Sequence, residues 1–190
     1  SEREAGQACA AADVSSAHRR PLLLIRADPA ATVSFDAGVL RAELGRALAG
    51  APLTVTAGTP ARIDIGPTAS RTICAHTGQM IVGRLPHDIR PIHVLTEARE
   101  RLVAALRLLA ARMPDTGLEV HLEDAARLSA DTASLRFLAL RASAGAAAGA
   151  GEAFERLTDR VLTAEHALLD RLHATTGDLS DVEELPSLSA

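Results

Sequence analysis

Seven histidines and two cysteines are the side chains of this sequence best suited to bind a metal ion or to move a proton. The histidines considered for a metal site are His76, His87, His93 and His121. The step from His87 to His93 does not place both side chains on one helical face, and no Cys or carboxylate completes a zinc spacing. His166 and His173 share one face of a predicted helix, which favours half-buried side chains. We therefore expect no metal site.

The two cysteines, Cys9 and Cys74, are too few for a disulfide framework. They are predicted to be free thiols in a reducing compartment, which indicates a cytoplasmic protein. All 20 basic residues are Arg, so no lysine is present for Schiff-base chemistry. The lack of Lys and the abundance of Ala are a coding bias typical of a GC-rich genome, as in actinobacteria.

A stretch rich in Ala and Gly, residues 142–151, has a composition similar to that of a phosphate-binding loop. It lacks the Gly-Lys-Ser/Thr ending of a P-loop, and no complete GxGxxG joins a strand to a helix. We interpret it as a loop or a place of tight packing.

Three segments have the apolar spacing of amphipathic helices. The first runs from Ser34 or Asp36, either of which can cap it, to Leu48. The second runs from Thr96 to Arg112, with Thr96 as the N-cap. The third runs from Glu152 to Ala174, and Thr176-Gly177 closes it.

Short β-rich runs stand between these predicted helices. We expect a buried strand at Leu22–Ile25 and a hairpin from residues 53–56 and 62–65. Two more strands are predicted at residues 71–75 and 79–82, split by a turn at residues 76–78, and then a loop or a short strand over residues 84–93. Residues 118–122 and 135–140 fit either a strand or a helix. Strands that alternate with helices predict an α/β fold, a sheet covered by helices.

The composition excludes several classes of function. The chain has 190 residues and a net charge of −4, with no basic block, so nucleic acid is not an expected partner. No apolar run is long enough to span a membrane, and no signal peptide is visible. With few aromatic residues the core must be aliphatic. One domain is expected over residues 21–180, with a mobile tail at 1–20 and a loose tail at 181–190.

Residues 117–133 begin with Gly117, carry Glu119 two positions later, and continue with Arg127, Ala130 and Ala133. This pattern resembles the crotonase (enoyl-CoA hydratase/isomerase) segment in which a glycine turn opens a helix. The chain end is also similar to a Clp protease proteolytic subunit, of the same superfamily, at Thr176-Gly177 and Ser189-Ala190. The resemblance implies a ββα spiral that assembles into homo- or hetero-oligomers.

In that resemblance Glu119 is the general acid or base, and Thr116 stands at the position of the Clp nucleophile. Backbone N–H groups near Thr116-Gly117 and near Ala75 and Gly78 form an oxyanion hole for an enolate. The implied ligand is an acyl-CoA thioester. No cofactor is needed beyond the CoA of the substrate, and a role in secondary metabolism is implied.

The sequence departs from the family at other positions. The second glutamate of the hydratases falls near Ala139, and the Clp histidine falls at Arg141. The alternative is therefore a non-catalytic subunit that pairs with an active homologue. A third hypothesis is a regulatory module similar to a STAS domain, in which Ser129, Thr132 or Ser134 accepts a phosphate near a helix N-terminus.

Overall fold

The computed structural model describes residues 37–51, 53–55, 61–145 and 149–177. Five α-helices account for most of them: α1 (Ala37–Leu48), α2 (Gly66–Ile81), α3 (Arg90–Arg112), α4 (Leu122–Ser143) and α5 (Ala150–Gly177). Two short strands, β1 (Leu53–Val55) and β2 (Ala61–Ile63), form an antiparallel hairpin between α1 and α2. Two 3₁₀ helices, Pro114–Thr116 and Leu118–His121, join α3 to α4.

Helices α2 to α5 form a four-helix bundle in which each helix packs against the next one in the chain and α5 returns to α2. Neighbouring helices are antiparallel. The start of α3 meets the end of α4 where Arg136 contacts His93 (3.1 Å), and the middle of α4 meets α5 where Arg160 pairs with Asp131 (2.7 Å). Helix α1 packs on the outside, against α5 and α2.

The core of the bundle is aliphatic, as the composition predicts. Its largest fully buried apolar side chains are Phe154, Met80, Ile92, Leu118, Leu128, Leu135, Leu168 and Val161. Phe154 is the one aromatic side chain among them. Burial of this apolar surface is the main favourable contribution to folding.

Helix α2 replaces the two strands that were predicted at residues 71–75 and 79–82. Its buried face consists of Ser70, Cys74, Thr77 and the adjacent pair Met80 and Ile81, and the steps from Ser70 to Met80 are of three and four residues. Polar members at two of these positions break the apolar pattern, so the sequence reads as short β runs. The Thr77 hydroxyl donates to the Ile73 carbonyl (2.8 Å) and therefore needs no partner outside its own helix.

Helix α3 begins six residues before the predicted start and covers residues 90–93 of the segment expected to be a loop or short strand, whereas residues 84–89 are in neither a helix nor a strand, in agreement with a loop. Pro91 stands in its first turn, where the missing N–H costs no hydrogen bond. The Asp88 carboxylate accepts from the Arg90 guanidinium (2.8 Å and 2.7 Å) and from the Arg90 backbone N–H (3.0 Å). These contacts, the side-chain bond first, lower the pKa of Asp88 to about 2.

The predicted α/β fold, a crotonase/Clp-like ββα spiral, is wrong. The described part of the chain is a helical bundle, and the hairpin of β1 and β2 is its only sheet. Of the two segments that fitted either a strand or a helix, residues 118–122 form the second 3₁₀ helix and the first residue of α4. Residues 135–140 lie within α4. A STAS fold needs a mixed sheet, so that comparison fails for the same reason.

Other predictions have different outcomes. The helix ending at Leu48 and the helix after residue 150 are confirmed as α1 and α5, with ends shifted by a few residues. The predicted strand at Leu22–Ile25, both tails and Cys9 lie outside the described residues. The glycine at Gly66 is required, because its φ is 60° and a Cβ there would lie 2.7 Å from the Ala47 carbonyl oxygen.

Candidate functional site

A group of polar side chains is buried between α2, α3 and α5. The Arg99 guanidinium donates to the Ser70 hydroxyl (2.7 Å) and forms an ion pair with Glu165. The Glu165 side chain is 1% exposed and that of Arg99 is 12% exposed. Burying two charges costs several kcal/mol of desolvation, which the pair recovers only with good geometry and further hydrogen bonds. We call Ser70, Cys74, Arg99, Thr158 and Glu165 the central polar cluster.

The central polar cluster leaves hydrogen-bonding capacity unused. Arg99 Nε, Thr158 Oγ1 and Glu165 Oε2 are buried and have no hydrogen-bond partner among the described residues. A buried polar atom without a partner costs on the order of 1–3 kcal/mol, so such atoms are uncommon in folded proteins. Ligand sites in helix bundles are built from side chains on facing helices of the core, as these are.

Cys74 is the free cysteine of the described residues, and it is buried beside this pair. Burial raises the pKa of the Cys74 thiol to about 11, while the nearby Thr158 hydroxyl opposes the rise. The Glu165 carboxylate adds to the rise and the Arg99 guanidinium opposes it. At neutral pH the group is therefore a protonated thiol, which is a poor nucleophile and a poor metal ligand.

Cys74 and Thr158 also form the floor of a groove between α2 and α5, with a volume of ≈ 560 Å³. Its apolar wall includes Phe154 and Val82. Gly78 has no side chain to fill the space next to the Phe154 ring, which lies 3.9 Å from the position that a Cβ at Gly78 would take. We call this space the α2–α5 groove. It meets the central polar cluster at the two side chains that they share.

The rim of the α2–α5 groove is charged. Arg71 lies on the α2 side, and Glu155 and Asp159 lie on the α5 side. All three side chains belong to exposed residues, and none forms an ion pair with another described residue. Arg84, at the far end, contacts only the Gln79 amide, at 3.4 Å. These charges are available to a ligand.

A second groove, between α4 and α5, gives an internal comparison. Its volume is ≈ 540 Å³, close to that of the first. Two ion pairs cross it, Arg160 with Asp131 (2.7 Å) and Arg171 with Asp124 (2.6 Å). Apart from Asp159, which lines both grooves, the charged residues of this groove are already paired, so it offers less to a charged ligand than the α2–α5 groove does.

The structure does not bring the predicted catalytic residues to a cavity. Glu119 is exposed in the second 3₁₀ helix and lines neither groove. The Thr116 hydroxyl donates to the Met113 carbonyl (2.6 Å) within the turn between α3 and α4. Gly117 adopts a left-handed conformation with φ 72°, with open space around the position of a Cβ.

Ala75 and Gly78, the predicted oxyanion donors, do line the α2–α5 groove. Both lie inside α2, where backbone N–H groups bond to carbonyls of the preceding turn, so they are not free to hold an oxyanion. Their contribution is space, because they are small residues on a helix that faces α5.

The histidines considered for a metal site are separated by the fold. His93 contacts Arg136, His87 contacts Ser143 (3.4 Å), and the buried His121 bonds through Nε2 to the Thr175 hydroxyl (2.8 Å). Burial lowers the pKa of His121, and the nearby Arg171 adds to this effect. Within the described ranges, no three His, Cys, Asp or Glu side chains are grouped so as to hold a metal ion.

The sequence interpretation missed Arg99 and Glu165. Each carries a signal, because each charge stands at a core position of a helical stripe. Glu165 lies between Val161 and Leu168, which are both buried, and Arg99 lies between Leu95 and Val103. A charge in an apolar stripe predicts a buried polar contact.

The chain matches no protein-family model, no curated protein and no solved structure. Its function must therefore be argued from its own geometry. Among the helices that the structure describes, none is both long enough and apolar enough to cross a membrane.

Proposed function

We propose that this protein binds a small organic molecule in the α2–α5 groove and does not change it covalently. One observation carries the proposal: the groove is lined by Cys74, whose thiol lies within electrostatic reach of the buried Arg99–Glu165 pair, and by Thr158, whose hydroxyl oxygen is buried without a hydrogen-bond partner among the described residues. The site thus combines an apolar recess with polar groups behind its floor and charges at its rim.

The size of the α2–α5 groove fits a small ligand, and its lining is about half polar and half apolar. Pockets that bind organic molecules have volumes of roughly 300–1,000 Å³, with mostly apolar walls and a few polar groups that orient the ligand. The volume of ≈ 560 Å³ lies in this range. Phe154 and Val82 supply apolar contact, and Thr158 supplies a hydroxyl.

The chemistry of the site favours binding over catalysis. The raised pKa of Cys74 leaves a protonated thiol at neutral pH, so the most reactive side chain at the floor is not activated. The acyl-CoA reaction predicted from the crotonase resemblance stays a prediction, and the exposed position of Glu119 gives it no support. The predicted oligomer also stays a prediction.

Filling the groove tests the proposal. The probe is N-phenyl-1-naphthylamine, an uncharged apolar dye whose fluorescence rises in an apolar site. We expect saturable binding of one dye per chain, and we expect Gly78→Leu to weaken it at least about tenfold, because the leucine occupies the space above Phe154. Leucine is also a better helix former than glycine, so the variant should stay folded.

The matched control is Ala105→Leu, which adds a leucine at an exposed position of α3, away from the groove. The control should bind the dye as the parent does. Equal dye binding by the parent and by Gly78→Leu, with both proteins folded by circular dichroism, would remove the groove as the binding site.

A further inference from the structure

The two sides of the α2–α5 groove carry opposite charges at one end. Arg71 projects from α2, and Asp159 belongs to α5, the helix that forms the other wall. Neither side chain forms an ion pair with a described residue, whereas two ion pairs, at 2.6 Å and 2.7 Å, cross the α4–α5 groove, which Asp159 also lines. The α2–α5 groove therefore presents one cationic and one anionic group that have no ion-pair partner among the described residues.

Contacts along the groove fix where these charges stand. Cys74 lies near Thr158. A Cβ at Gly78 would lie 3.9 Å from the Phe154 ring, and a Cβ at Gly151 would lie 3.7 Å from the Val82 side chain. The two helices are thus antiparallel, and Arg71 and Asp159 fall at the same end. The apolar stretch along Gly78, Phe154 and Val82 leads away from that end.

We infer that the ligand is an apolar α-amino acid or a close derivative, an inference that rests on the proposed function. Its carboxylate contacts the Arg71 guanidinium, whose planar fork matches a carboxylate. Its ammonium group contacts the Asp159 carboxylate. Its apolar side chain lies along the groove, over the space that Gly78 leaves open. A molecule with one charge leaves the other rim group without a partner.

Three probes of equal chain length separate the two charges: 2-aminooctanoate, octanoate and octylamine, each titrated by calorimetry. We expect 2-aminooctanoate to bind more tightly than either singly charged probe, by up to about fivefold, because an exposed ion pair contributes up to about 1 kcal/mol. Arg71→Gln should weaken 2-aminooctanoate and octanoate but not octylamine. Asp159→Asn should weaken 2-aminooctanoate and octylamine but not octanoate.

Matched controls are available on the same fold. Arg107→Gln on α3 and Asp170→Asn on α5 remove exposed charges that line neither groove and form no ion pair with a described residue. These variants should bind all three probes as the parent does. The selective pattern at residues 71 and 159 is needed, since a general effect of net charge would appear in the controls as well.

The outcomes distinguish this inference from the proposed function. If N-phenyl-1-naphthylamine binds and Gly78→Leu blocks it, but the three alkyl probes bind equally or not at all, the ligand class is wrong and the groove remains a binding site. If the dye and the alkyl probes all bind Gly78→Leu as they bind the parent, both proposals fail. The ligand class is also wrong if the parent binds the three alkyl probes unequally but Arg71→Gln and Asp159→Asn bind each of them as the parent does.

Discussion

At the scale of single residues, the Arg99–Glu165 pair is the most unusual feature of the molecule. Its charges are buried in the bundle, and one nitrogen and one oxygen have no hydrogen-bond partner in the described part of the chain. An apolar pair of similar size would avoid this desolvation cost. The pair is therefore weak support for stability and stronger support for a site that uses polarity.

This view predicts a strongly non-additive pair of substitutions. Glu165→Met or Arg99→Met alone leaves one buried charge unpaired and should lower the free energy of unfolding by about 3–5 kcal/mol. The double variant removes both charges, and its free energy of unfolding should be at least as high as that of the more stable single variant. Urea unfolding at neutral pH measures all four proteins, and additive losses would contradict the account.

His121 gives a prediction about pH. Burial lowers its pKa in the folded protein, with Arg171 acting in the same direction and with Asp124 and Glu119 opposing. The unfolded chain then binds the proton more readily, so the stability present above the ordinary value of 6.5 is lost as the pH falls through the lowered pKa. The free energy of unfolding should fall by up to about 1.4 kcal/mol per pH unit in that range.

His121→Gln should remove that part of the pH dependence. The urea midpoint of the parent should fall from pH 7.5 to pH 5.5 more than that of the variant. If the two proteins lose the same stability over this range, the buried His121 is not the group that responds to pH.

At the scale of elements, buried threonines explain why some helical segments were not predicted from the sequence. Thr77, Thr96 and Thr132 are fully buried, and each hydroxyl donates to the carbonyl four residues earlier at 2.8 Å. These positions behave as apolar core positions although their residue type is polar. In α2 this left only fragments of the apolar stripe, which were interpreted as strands.

Thr132→Val tests whether these hydroxyls matter to packing. Valine has the same shape, and the Leu128 carbonyl keeps its helical backbone partner, so no buried group is left unpaired. We expect the free energy of unfolding to change by no more than about 1 kcal/mol. Thr132→Ala, which also removes a methyl group, should cost more. A larger loss with valine than with alanine would assign the hydroxyl a further role.

Helices α1, α3 and α5 were predictable because apolar residues occupy most of the core-facing positions of each helix. Residues typical of helix caps also stand near their ends. The end of α3 at Arg112 agrees with the prediction, whereas its start does not, because residues 84–93, which include Pro91, were interpreted as a loop or short strand. The glycine motif at Gly117 is a 3₁₀ turn between α3 and α4. A short motif does not determine which elements flank it.

At the scale of the whole molecule, the fold class was not predictable from local patterns. A bundle and an α/β fold can share the same helices, and the choice depends on what lies between them. The groove could not be found from sequence for a related reason: Cys74, Gly78 and Thr158 come together only when α2 and α5 pack. Ala75 and Gly78 were named for another role, and their meeting with α5 is a result of the fold.

The central claim is that a ligand occupies the space between α2 and α5. Nuclear magnetic resonance of the labelled protein during titration with 2-aminooctanoate tests it most directly. The account predicts shifts at the amides of Cys74, Gly78 and Thr158, with those of Glu119 and its neighbours unchanged. Shifts centred on Glu119, or shifts of the same size in Gly78→Leu, would contradict it.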